Sequence, residues 1–239
     1  MCKIKKFKSQ ACNGCKGQCP GQFVDRAKKK EAMNTVKAII FDLDNTVYLV
    51  ESISESLLKP LFSLIEGDGR FSGDFDDIKS EIKRKPYQFV AEKYHFAPQL
   101  TAKGAKLLSG LEYDGPIETF EGFREIERIE CTKFLVTAGF TKLQFSKIKK
   151  LDLERYFDEI FIVDAQISKE SKKDIFSRII SNYNFQKDEV LVLGDDLHSE
   201  IKAGKELGLQ TMIFDYEQKY PETGEQPVVK NYKQFMEFF

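Results

Sequence analysis

The sequence predicts an α/β fold, a Rossmann-like parallel sheet with helices on both faces and a small helical cap domain. Three observations predict it. Five short runs rich in β-branched and aromatic residues recur after Lys37, at positions 38–43, 133–137, 159–163, 189–193 and 210–214. Helical apolar spacing fills most of the gaps, and strands alternating with helices imply parallel pairing through right-handed crossovers. One gap breaks the scheme: 88 residues separate Asp44 from Lys133, where a crossover needs only about a dozen. So long a connection is expected to fold as a unit of its own.

The first run carries the densest information. Its apolar residues lead into Phe41, and then Asp42 and Asp44 stand two positions apart, followed by Thr46. An apolar run bounded by a turn reads as a buried strand. Acids at its carboxyl end serve no packing purpose, since unpaired buried charge is costly. In open α/β sheets that edge is where ligands bind. Two like charges there call for a cation, and a carboxylate held against a divalent metal can attack a phosphoryl group. Taken alone, the segment also fits an acidic loop with no chemistry.

The long gap reads as helical. Ile53, Leu57, Leu58, Leu61, Leu64 and Ile65 share one face, and Phe75, Ile78 and Ile82 begin a second helix stopped near Pro86. Residues 87–94 and 100–111 supply two more. The expected division is a helical cap at 49–118, inserted into a core formed by 36–48 and 119–239. Within the core, Thr137-Ala138-Gly139 ends the second strand with a hydroxyl and a small-residue turn, which suits a closely approaching phosphate oxygen. Leu143, Ile148 and Leu151 mark the next helix. Ile175, Phe176, Ile179 and Ile180 mark the one after the third strand.

The fourth strand runs into Gly194, Asp195 and Asp196, with Glu200 close behind. Hard oxygen ligands of this kind suit Mg²⁺. Ile201, Gly204 and Leu207 then face one way, and Gly208 stands as a C-terminal cap. Val228–Val229 reads as an edge strand and 232–239 as a last packing helix. Between the third strand and its helix, residues 168–174 hold a lysine-rich stretch from which one ammonium can reach phosphoryl oxygens.

Composition sets the outer bounds. The chain is 41% hydrophobic and 31% charged, ordinary for a globular protein. No apolar stretch approaches the roughly 18 residues of a membrane span, and no apolar core follows the basic N-terminus as in a signal peptide. The expected setting is cytoplasmic, with thiols reduced or metal-bound. The net charge of −1 hides a balance of +8 in residues 1–37. That basic arm, 1–35, also holds Cys2, Cys12, Cys15 and Cys19, four thiolates that could close a Zn²⁺ site or hold an iron–sulfur cluster. A basic tail with reduced thiols is the alternative. Cys131 reads as a small core residue.

With these pieces in this order the chain resembles the haloacid dehalogenase superfamily. The resemblance rests on Asp42-Leu43-Asp44-Asn45-Thr46, on the strand-ending Thr137, on a helix-start lysine and on Gly194-Asp195 with Glu200. Glu121-Gly122-Phe123 and Tyr156-Phe157-Asp158 also contribute to it. It implies Asp42 as nucleophile and Asp44 as general acid and then base. Thr137 and Lys173 would hold the phosphoryl oxygens, with Lys172 and Lys169 competing for the lysine's place. Asp42, Asp44 through its carbonyl, Asp195 and Glu200 would hold Mg²⁺.

The implied activity is a Mg²⁺-dependent phosphatase that hydrolyses a small phosphorylated metabolite through an aspartyl-phosphate. A dehalogenase attacks carbon and needs no acid at Asp44. A phosphomutase would share every core residue. A protein that binds nucleic acid or an acidic partner through its Cys-rich arm is the rival of another class, although the arm lacks a recognised nucleic-acid motif. Lys83, Arg84, Lys85, Tyr87 and Phe89 either read the leaving group or form a solvated basic face.

Overall fold

A computed structural model of the chain describes residues 35–83, 85–221 and 226–239. The expectation of a metal at Cys2, Cys12, Cys15 and Cys19 lies outside these residues. Six parallel strands form one sheet: β1 (Ala38–Phe41), β2 (Thr132–Ala138), β3 (Glu159–Val163), β4 (Val190–Gly194), β5 (Gln210–Phe214) and β6 (Val228–Val229). Their spatial order is β3-β2-β1-β4-β5-β6. The chain therefore winds outward from β1 in one direction and then in the other. That reversal leaves an open crevice at the carboxyl ends of the strands beside β1.

Period-two alternation divides the strand residues between two apolar layers. Ile39, Phe41, Leu135, Leu191 and Leu193 pack on one face with Ile148 of α5 (Thr141–Lys150) and with Tyr232 and Phe235 of α8 (Tyr232–Met236). Ala38, Ile40, Phe134, Val136, Val190 and Val192 pack on the other. There they meet Ile175, Phe176 and Ile179 of α6 (Lys172–Tyr183) and Ala203 of α7 (Glu200–Leu207). All four residues of β1 are buried. The strand bearing Asp42 is therefore fixed from both sides, and burial of each large apolar side chain is worth about 1.5–3 kcal/mol.

The segment after β1 forms four helices: α1 (Glu51–Asp68), α2 (Phe75–Ile82), α3 (Tyr87–Lys93) and α4 (Pro98–Gly110). They enclose an apolar cluster separate from both sheet layers, built on Leu61, Phe62, Ile65, Ile78, Val90 and Leu100. The spacing of 58, 61, 62 and 65 puts one face of α1 inward. Asp74 caps α2 by accepting from the amides of Asp76 and Asp77. Gly104 is required for packing, because a Cβ there would lie 2.1 Å from the Tyr87 hydroxyl, which donates to the Leu100 carbonyl at 3.1 Å.

The insert leaves and rejoins the sheet through one narrow neck. The amide of Phe120 donates to the Val47 carbonyl at 2.8 Å, and Tyr48 pairs with Thr119. Among the described residues no helix is long and apolar enough to cross a membrane.

Candidate active site

Asp42 directly follows β1, and its amide extends the ladder by donating to the Leu193 carbonyl at 3.0 Å. The residue is only 6% exposed. Lys172 reaches it from across the sheet. The ammonium donates to Asp42 Oδ1 at 2.6 Å and to Glu200 Oε2 at 2.7 Å. A capping box places that lysine: the Ser171 hydroxyl and amide donate to Asp174 at 2.7 and 2.8 Å, and the Asp174 amide returns to Ser171. The box fixes Lys172 as the first residue of α6.

Glu200 opens α7 and turns back over the end of β4, where its Oε1 accepts from the Asp196 amide at 2.7 Å. The absent side chain of Gly194 makes room for it, since a Cβ at that position would lie 2.3 Å from Glu200 Cγ and Oε1. Carboxylate oxygens of Asp42, Asp195 and Glu200 all lie within 4.8 Å of one another. Among the described residues these three acids have the single cation Lys172 for company, so ionising all of them leaves two negative charges uncompensated.

The proton affinities record that excess. Burial first, and then the neighbouring acids, push the Asp42 carboxyl well above its usual range, while Lys172 pulls it down. Burial and Glu200 raise Asp195 to about 7, against Lys172 and a hydrogen bond from Asn45. Burial would lower Lys172, but Asp42 and Glu200 outweigh it and keep the ammonium charged. Clustered hard oxygens with surplus negative charge fit a divalent cation such as Mg²⁺.

Asp44 faces a different set of partners. Its Oδ1 accepts from the Tyr48 hydroxyl at 2.5 Å and from Lys147 Nζ at 2.6 Å, and its Oδ2 accepts from Gln144 Nε2 at 2.9 Å. Burial works to raise this carboxyl, but Lys147, Tyr48 and Gln144 prevail and hold it below the ordinary value. Gln144 Nε2 also lies 2.7 Å from Thr137 Oγ1. A threonine hydroxyl that accepts there keeps its own proton for another oxygen.

The side chains named from sequence thus fall into distinct places. Asp42, Asp195 and Glu200 converge, while Thr137, buried one residue before the end of β2, and Asp44 share the Gln144 amide. The Asp44 carboxylate lies outside the acid triplet. Lys173 does not join them. Its ammonium is 2.7 Å from Glu206 on an exposed surface, and Lys169 is exposed in the loop before α6. The lysine against Asp42 is Lys172, the competitor for the place that the family resemblance gives to Lys173, and it is the first residue of α6. The Ser171-x-x-Asp174 box marks that helix start in the sequence.

Gln144, Lys147 and Tyr48 escaped the sequence reading altogether. The first two stand three apart on α5 and read as an ordinary polar face, yet both are nearly fully buried. Of the proposed leaving-group readers, Lys83 lines the cavity. Tyr87 is buried in the insert core, Phe89 is exposed and Lys85 pairs with Glu81 at 3.2 Å. Arg84 lies outside the described residues.

A cavity of about 790 Å³ opens between the sheet and the helical insert, with Asp42, Asp44, Lys172 and Asp195 on its core side. Its size suits a small ligand. The family model of the haloacid dehalogenase-like hydrolases matches residues 36–208. The chain is 24% identical over 199 residues to the glyceraldehyde 3-phosphate phosphatase of Pyrococcus furiosus, covering 77% of this chain and 82% of that one. It is 26% identical to the pyrimidine 5'-nucleotidase PynA of Streptococcus pneumoniae, over 68% of this chain and 63% of the relative. Among solved structures, the haloacid dehalogenase-like protein SP0104 of Streptococcus pneumoniae superposes with a TM-score of 0.65 at 15% identity, covering 87% of this chain and 100% of the other.

Proposed function

Since the chain belongs to the haloacid dehalogenase-like hydrolases and is by class a phosphoric monoester hydrolase, we propose that it is a Mg²⁺-dependent phosphatase acting on a small phosphorylated metabolite through an aspartyl-phosphate on Asp42. The observation that carries this reading is the position of Asp42: buried at the end of the central strand, against Lys172, Asp195 and Glu200, and facing a metabolite-sized cavity. Relatives named for dephosphorylating glyceraldehyde 3-phosphate and pyrimidine nucleotides support it.

In the first half-reaction an Asp42 oxygen attacks phosphorus as the bond to the leaving oxygen breaks, and Asp44 gives that oxygen its proton. Lys172 and the Thr137 hydroxyl hold the equatorial oxygens as charge spreads over them. In the second half a water attacks phosphorus, Asp44 takes the water's proton, and Asp42 is released with inorganic phosphate. Lys147 and Tyr48 favour the ionised Asp44 this step needs, while a dianionic substrate beside Asp44 raises its proton affinity for the first. Mg²⁺, held by Asp42, Asp195, Glu200 and the Asp44 carbonyl, would supply Lewis acidity and offset the repulsion between carboxylate and phosphate. The helical insert serves as the cap over this site, and the enzyme works in a cytoplasmic setting.

The test is hydrolysis of p-nitrophenyl phosphate with Mg²⁺, followed by phosphate release. Asp42→Asn nearly keeps the volume but removes the attacking charge, so turnover should fall at least about 10³-fold with the fold intact. Substantial residual turnover, in protein shown free of deamidation, overturns the assignment. Transfer of the phosphoryl group to a second sugar hydroxyl, without phosphate release, would mark a mutase instead.

A further inference from the structure

The cavity is unevenly charged away from Asp42, and the imbalance bears on what can occupy it. On the insert side it is lined by Glu51, Glu55 and Asp76 against Lys79 and Lys83. Both lysines are already engaged. Lys83 bridges Glu51 at 3.0 Å and Glu55 at 3.2 Å, and Lys79 lies 2.6 Å from Asp76. On the sheet-side rim, Asp196, Asp215 and Glu217 face a single lysine, Lys219, which pairs with Glu217. The remaining lining cation, Lys172, is held by Asp42 and Glu200. Among the described residues the lining contains no arginine and no histidine.

A phosphate away from the catalytic pole is held most strongly by donors of positive charge, bidentate or pointlike. Among the described residues this wall offers none that lacks a carboxylate partner, and their summed charge is net negative. Carboxylates do accept hydrogen bonds from hydroxyl groups, and Ser80 adds a hydroxyl to the same surface.

We infer that the enzyme selects monophosphate esters with an uncharged, hydroxyl-bearing leaving group, and that Glu51 and Glu55 are specificity-determining residues that repel a second phosphate and neutralise Lys83. The inference rests on the phosphatase reading of the same cavity and deepens it. Glu51 and Glu55 lie in the first two turns of α1 on exposed positions, so they are free of any role in the insert core.

The experiment compares kcat/KM within matched pairs in the presence of Mg²⁺: glycerol 3-phosphate against glycerol 1,3-bisphosphate, and fructose 6-phosphate against fructose 1,6-bisphosphate. The monophosphate should be favoured by at least ~10-fold in each pair. The double variant E51Q/E55Q keeps both side-chain shapes and frees Lys83, and it should move the ratio ~10-fold toward the bisphosphate. Adding K83M should cancel that gain, which a merely structural role of the glutamates does not predict.

Equal or better use of the bisphosphates by the wild type overturns the inference, as does an unmoved ratio in an E51Q/E55Q protein whose thermal melt matches the wild type. The two readings fail differently. Active turnover of p-nitrophenyl phosphate with no preference for the monophosphates sinks only the specificity inference. Absence of turnover with every ester, Mg²⁺ present, sinks the phosphatase reading and this one together.

Discussion

Lys172 and Lys173 are neighbours with the same charge, and a helix separates their fates. The first residue of α6 points into the acid cluster; the second points outward to Glu206. Lys172→Met removes the cation beside Asp42 and should lower kcat/KM by at least ~100-fold, the scale seen when a preorganised electrostatic contact to a transition state is lost. Lys173→Met removes only an exposed ion pair worth about 0–1 kcal/mol and should change activity less than ~2-fold. Steady-state kinetics on the two variants decide the matter, and the reverse pattern would return the role to Lys173. The lysine-rich stretch was legible in the sequence. The choice between adjacent residues turns on where the Ser171-x-x-Asp174 box starts the helix, a local signal that the apolar spacing does not carry.

At the scale of elements, the turn from β4 into α7 does most to shape the acid cluster. Gly194 there is needed for room, and its backbone is not among those with positive φ. Gly194→Ala sets a methyl group in the space of the Glu200 side chain, which must swing away from Lys172 and from Asp195. The overpacking should cost about 1–3 kcal/mol, and Mg²⁺ affinity should weaken ~10-fold or more as a supporting carboxylate is displaced. A urea melt and a calorimetric Mg²⁺ titration measure the two effects separately. An unchanged affinity in a folded variant would take Glu200 out of the metal site. The sequence placed glycine and acids at the end of this strand through its apolar run alone; that the glycine gives its space to Glu200 is visible only with the chain folded.

For the whole molecule, the acid cluster links stability to pH and to metal. Asp195 titrates near 7 in the folded chain, against about 3.9 for an unperturbed aspartate. Between those values the folded state binds the extra proton. Metal-free stability therefore falls as pH rises from about 4 to 7, and the loss persists above 7. Asp44 is shifted the other way, so its contribution is in place above its ordinary value and fades only as pH falls through the lowered one. Mg²⁺ must compete with the proton on Asp195 below 7 and meets an ionised cluster above it. The rise in Tm on adding Mg²⁺, followed by differential scanning fluorimetry, should be clearly larger at pH 8 than at pH 5. Equal rises at both would mean that Mg²⁺ does not engage Asp195.

By itself the sequence determined what has a local period or a local punctuation. Short runs rich in β-branched and aromatic residues named the five long strands, and 3.6-fold apolar spacing named the helices between them and the helical insert. Acids crowded past an apolar run marked Asp42, Asp195 and Glu200. Such patterns are read within a few turns of chain, so they survive without knowledge of the fold. Only the tertiary structure decided what meets across the chain. Asp44 and Lys147 stand 103 positions apart, and Lys172 and Asp42 stand 130 apart. A buried lysine on a polar helix face has the same local signature as a solvated one. Its role follows from the carboxylate that parallel pairing of β1 with β2 brings beneath α5, and no periodicity encodes that distance.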